Sequence, residues 1–96
     1  MLTANNWNVV QYAVLTLMMA QVSGLKPGEF VHVIADAHIY DRHVDMVREI
    51  ITHEPKPAPT FRLDPAVTDF YAFTRDSFTM EGYEYSDFAG KIPVAL

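Results

Sequence analysis

The sequence predicts an α+β fold: one buried central helix against a small mixed sheet, all within residues 1–96 as a single domain. Three observations carry this. Trp7 to Ser23 is apolar almost without interruption and ends at Gly24 with Pro27 beyond, a helix with its stop signals. Val31 to Tyr40 alternates small apolar residues with polar ones, the period of a strand. Thr60–Leu63 and Ser77–Tyr83 are two further short strand-like runs set off by Asp, Pro and Gly.

The elements follow in chain order. Asn5 or Asn6 is placed to cap the first helix. Val9, Val10, Val14, Leu15, Leu17, Met18 and Val22 coat that helix on nearly every side, the pattern of a helix enclosed by other structure. Asn8, Gln11 and Gln21 interrupt the run, which is shorter than the roughly 20 apolar residues of a membrane span. No basic leader or small-residue cleavage site marks a signal peptide. The remaining elements are few for covering such a helix, so a large oligomer interface or further chain is expected to do it.

Lys26-Pro27-Gly28-Glu29 is a turn. In the run that follows, Val31, Val33, Ala35, Ala37 and Ile39 share one strand face, while His32, Ile34, Asp36, His38 and Tyr40 share the other. An acid, two imidazoles and a phenol in one row suit the wall of a polar ligand site. Alternation alone is equally the mark of a half-exposed antiparallel strand, and on spacing that plainer reading leads. Asp41 is placed to cap a second helix running to about His53, with Val44, Val47, Ile50 and Ile51 on its apolar stripe. Glu54-Pro55-Lys56-Pro57-Ala58-Pro59 forbids helix and favours an extended connection. Asp64-Pro65 opens a short helical turn near Val67 to Tyr71. Phe70, Tyr71, Phe73 and Phe78 make an aromatic cluster of core type. The tail, Lys91-Ile92-Pro93-Val94-Ala95-Leu96, is apolar, as a docked terminus would be.

Composition excludes several classes. Half of the 96 residues are hydrophobic and a fifth charged, which is a folding chain. A net charge of -5 with only seven scattered Lys and Arg argues against nucleic acid. There is no cysteine, hence no disulfide, no thiolate metal site and no cysteine nucleophile within the chain; this is compatible with a cytoplasmic protein. His32, Asp36 and His38 are the one candidate metal set, but ligands in a straight row seldom converge on a tetrahedral centre, so no metal is expected.

Five segments together carry a resemblance. Trp7-Asn8-Val9 with Tyr12 resembles the Phe-Asn-Ile…Tyr motif of the thymidylate synthase family. Asp36-Ala37-His38-Ile39-Tyr40 followed by His43 is similar to its Asp-x-His-x-Tyr…His segment, and Glu54-Pro55-Lys56-Pro57-Ala58-Pro59 to its Glu-Pro-Arg-Pro-x-Pro turn. Glu81-Gly82-Tyr83 and Pro93-Val94-Ala95-Leu96 match its last strand and tail. They stand in the family's order at nearly its spacing, so the chain resembles the C-terminal part of the thymidylate synthase fold, about the last third of a member.

The resemblance implies a specific chemistry. Family members move a one-carbon unit from 5,10-methylenetetrahydrofolate to deoxyuridylate (dUMP), giving thymidylate (dTMP) and dihydrofolate. By resemblance, Asn8 reads the pyrimidine edge, which a side-chain amide does with both a donor and an acceptor. His38 and Tyr40 hold the deoxyribose 3′-hydroxyl, with Asp36 in support. Trp7, Val94 and Ala95 line the folate side, the tail closing to exclude water. The family's nucleophilic cysteine, its general-base glutamate and its phosphate-clamping arginines lie upstream of this segment or come from a partner subunit. The chain alone is therefore expected to carry no catalytic residue, to be inactive, to bind a dUMP-like nucleotide weakly at best and folate not at all, and to form a homodimer. Ile34 and Ala35 stand where the family has two glycines, Asn6 replaces a proline, and the 84–88 loop lacks Pro-His-Pro and is one residue longer. These departures leave a pyrimidine nucleotide hydroxymethylase open as a relative, and a non-catalytic dimerisation domain is the alternative from another class.

Overall fold

The computed structural model describes residues 2–88 and 90–93. Its elements are helix α1 (Asn5–Val22), a single 3-10 turn (Asp41–His43) running into helix α2 (Val44–Ile50), strand β1 (Thr60–Leu63), two further 3-10 turns (Phe70–Ala72 and Arg75–Ser77) and strand β2 (Phe78–Glu81). β1 and β2 pair antiparallel, with Thr60 opposite Glu81 and Leu63 opposite Phe78. The α+β class stands. The sheet is antiparallel rather than mixed, because these two strands are the ladder that forms among the described residues.

α1 ends as its sequence dictates. Gly24 takes φ +65°, a left-handed conformation that a side chain would oppose. Leu25 N–H then reaches the Ala20 carbonyl at 2.9 Å and Gly24 N–H that of Gln21 at 3.1 Å, the two bonds of a Schellman cap. The start differs from expectation. Ala4 occupies the cap position and no side chain caps the helix, since Asn5 is drawn into a contact elsewhere. Nor is α1 enclosed. None of its residues is buried, and Trp7, Val10, Tyr12 and Met19 stand exposed. The apolar coat is real, but the covering layers it calls for are not supplied by the described residues.

The alternating run 30–40 forms no ladder. It is extended and irregular, with a bend at Ala35 and Asp36. A strand needs a neighbour to satisfy its backbone, and this run finds none among the described residues. Its apolar face is accordingly open, with Val33 at 82% exposure. Downstream, Asp41 does not cap α2: Tyr40 precedes the 3-10 turn without a side-chain bond, and α2 closes at Ile50 rather than near His53.

The 60–81 region matches its pattern closely. β1 spans the residues expected of it. Asp64 Oδ1 accepts the Ala66 N–H at 2.9 Å, a local turn, while Asp69 Oδ1 caps the next turn through Tyr71 N–H at 2.9 Å. The helical turn thus sits at Phe70–Ala72, with a second acid in the capping role. Phe61, Phe78 and Phe73 stack with centroids 6.3 and 5.8 Å apart, Phe70 meets Phe73 edge-on at 6.4 Å, and Tyr71 meets Phe70 edge-on. Gln21 ties this region to α1: its amide donates to the carbonyls of Asp64 (2.9 Å) and Val67 (2.8 Å). The proline run 55–59 is extended and, with Tyr83, Glu84 and Ser86, walls a shallow groove of about 360 Å³. No helix of the described residues is long and apolar enough to cross a membrane.

Candidate functional site

The polar row of segment 30–40 survives without its strand. A bend at Asp36 turns the acid toward His38, whose Nδ1 donates to the Asp36 carbonyl at 3.2 Å and meets its carboxylate at 3.3 Å. That double contact sets the orientation of the His38 ring. The His38 and Tyr40 rings then lie 5.2 Å apart, and Tyr40 meets His43 edge-on at 5.4 Å. Both His38 and Tyr40 are exposed. Side chains two apart in extended backbone point to one side, so the ring pair presents a nitrogen heterocycle and a phenol hydroxyl together.

His32, in the same row, turns the other way. Its Nε2 donates to Asn5 Oδ1 at 3.1 Å, and its ring lies against Phe30 at 6.1 Å. This bond fastens the segment to the first turn of α1. Asn8, exposed on that helix, is three residues from Asn5, so the two side chains are neighbours on one helix face. The amide expected to read a pyrimidine therefore lies beside the point where the His38–Tyr40 segment is tethered. Sequence reasoning missed this bond, and no local pattern announces it: the partners are 27 residues apart.

Trp7 faces a different neighbour. With Asn6, Val10, Gln11, Met80 and Tyr83 it lines an open, largely apolar groove of about 490 Å³ between α1 and the end of β2. Trp7 is 81% exposed there, a flat face available for stacking. The volume is in the range of small-molecule sites. Val94 and Ala95, expected on the same side, lie outside the described residues. Met80 was not foreseen as a wall of this groove.

The metal alternative is not assembled. Among the described residues no three His, Cys, Asp or Glu side chains gather to hold an ion. His32 is committed to Asn5 while His38 is committed to Asp36, so the set of three is split between two partners.

The geometry thus offers an amide on a helix, a His–Tyr pair on a tethered segment and an aromatic groove nearby, with no thiol in the chain. Comparison with known proteins gives the family. The thymidylate synthase family model matches residues 1–96. A solved structure, the thermostable thymidylate synthase A of Bacillus subtilis, is similar over 99% of this chain and 33% of its own, with a TM-score of 0.89 and 38% identity. The chain spans about a third of the length of that enzyme. A match along the whole sequence, together with a backbone this close at this identity, places the chain in the thymidylate synthase family.

Proposed function

We propose that this chain is the C-terminal segment of a thymidylate synthase-like enzyme and supplies the nucleotide- and folate-facing wall for methylation of dUMP to dTMP. Asn8 reads the uracil edge, His38 and Tyr40 hold the deoxyribose 3′-hydroxyl, and Asp36 orients His38. Trp7 stacks on the folate side, with Val94 and Ala95 completing it. Methylenetetrahydrofolate supplies the one-carbon unit when bound; the open, largely apolar groove at Trp7, Met80 and Tyr83 supports placing its ring there.

The observation that carries this reading is the His32–Asn5 bond. It joins the two elements whose residues must face one ligand, the helix with Asn8 and the segment with His38 and Tyr40. Covalent attack on the pyrimidine needs a thiolate, and this chain has none, so catalysis requires residues from elsewhere. The enzyme so completed is a cytoplasmic homodimer whose subunit includes these 96 residues as one unit. Ligand-observed NMR tests the reading: dUMP is expected to bind weakly and deoxycytidylate less well, since an amide pairs differently with the two pyrimidine edges. Equal binding of the two nucleotides refutes Asn8 as the reader.

A second reading, a non-catalytic assembly domain, draws on the exposed apolar residues of α1 and of segment 30–40. Nucleotide-independent thermal stability favours it over the first.

A further inference from the structure

His43 is the most enclosed polar side chain described, 2% exposed in a chain whose described hydrophobic residues all remain partly open. Burial at that level is costly for an imidazole unless its nitrogens are used. One of them is: Nε2 lies 2.7 Å from the backbone carbonyl of Pro93, at the short end of the range for such bonds. A carbonyl only accepts, so the ring carries its proton on Nε2. Pro93 has no N–H, so this carbonyl is its sole backbone hydrogen-bonding group. The His43 ring also meets the polar row, with Tyr40 edge-on at 5.4 Å and His38 in turn 5.2 Å from Tyr40.

We propose that His43 is the positioning residue that docks the C-terminal segment, through Pro93, onto the His38–Tyr40 row. A single ring contacts both: its Nε2 holds the Pro93 carbonyl, while Tyr40 meets it at 64°. The two are fifty residues apart in sequence and share no regular element. The consequence, that nucleotide at the row and seating of the segment affect each other, rests on the reading of His38 and Tyr40 given above; the docking itself does not.

NMR on the full 96-residue chain tests it. In the unmodified protein the ¹⁵N shifts of His43 are expected to report a proton on Nε2; a ring protonated on Nδ1 alone overturns the proposal without any variant. His43→Phe keeps an aromatic ring against Tyr40 but removes the donor. The order parameter of the Ile92 amide is expected to drop from the rigid value of about 0.85 to below about 0.6, while the amides of Thr60–Leu63 stay rigid. His43→Gln, which places a donor at similar reach, is expected to restore order at Ile92. An Ile92 amide equally ordered in His43→Phe and unmodified protein overturns the proposal. Addition of dUMP is expected to shift the Ile92 amide in unmodified protein and not in His43→Phe. Failure of the nucleotide to bind refutes the nucleotide reading, and the coupling with it, while the order at Ile92 still decides the docking.

Discussion

His32 and Asn5 lie 27 residues apart and meet at 3.1 Å, ring nitrogen to amide oxygen. The bond stands at the start of an uncapped helix and at the base of the segment that carries His38 and Tyr40. Removing it separates tethering from capping, because Asn5 plays no part in capping α1.

Asn5→Ala is therefore expected to leave thermal stability within about 0.5 kcal/mol, since alanine's better helix propensity offsets the lost exposed bond. The same substitution is expected to weaken dUMP binding about three- to tenfold. Paired thermal melts and nucleotide titrations check this; unchanged binding means the tether does not position the site.

Tyr40→Phe keeps the ring between His38 and His43 and deletes only the hydroxyl. One hydrogen bond to ligand is worth about 1 kcal/mol, so affinity for dUMP is expected to fall about fivefold. A nucleotide lacking the 3′-hydroxyl is expected to bind the two proteins equally. A loss of the same size with that analogue moves the Tyr40 hydroxyl to another part of the ligand.

Gln21 holds two carbonyls, those of Asp64 and Val67, from one amide. Gln21→Leu retains the apolar stem and abandons both acceptors. The expected loss is about 1–3 kcal/mol, read as a shift in urea midpoint with unchanged slope. The loop 64–67, rather than the hairpin, is expected to gain the faster amide exchange.

Gly24 sits at φ +65° with open space where a Cβ would go. Gly24→Ala is thus expected to cost about 1 kcal/mol from backbone conformation alone, with no steric addition. Circular dichroism during thermal unfolding measures it. A neutral substitution means that Gly24 does not hold the left-handed conformation in solution.

Much of the local structure was legible because its causes are local. Gly24 and Pro27 mark the end of α1, alternation and flanking turn residues bound Thr60–Leu63, and Asp-rich turns surround the phenylalanines that stack. The same reasoning placed a strand at 31–40, which does not form, and an apolar α1 too large for these elements to cover, which is what the open helix shows. A strand and an all-apolar helix each declare a need for neighbours, and the described residues do not meet it. Pattern reveals the need; only the fold reveals whether it is answered. The site divides likewise. Asn8, His38 and Tyr40 were visible as motif residues, whereas the His32–Asn5 tether and the His43–Pro93 bond join distant residues through single contacts that leave no periodic trace. Asp64 and Asp69 each accept from the N–H two residues on, so the expected turn divides between them, the helical part falling at Phe70–Ala72.

The central claim, that these residues form a wall that reads uracil, is tested most directly by titrating dUMP into the unmodified chain and into Asn8→Asp. The variant should fold, because α1 has no acid in its first turn and a carboxylate near the helix N-terminus is favourable there by a few tenths of a kcal/mol. The account predicts saturable binding to the unmodified chain and at least tenfold weaker binding to Asn8→Asp, with the two melting temperatures alike. Equal affinity for both proteins, or no binding to either, contradicts it.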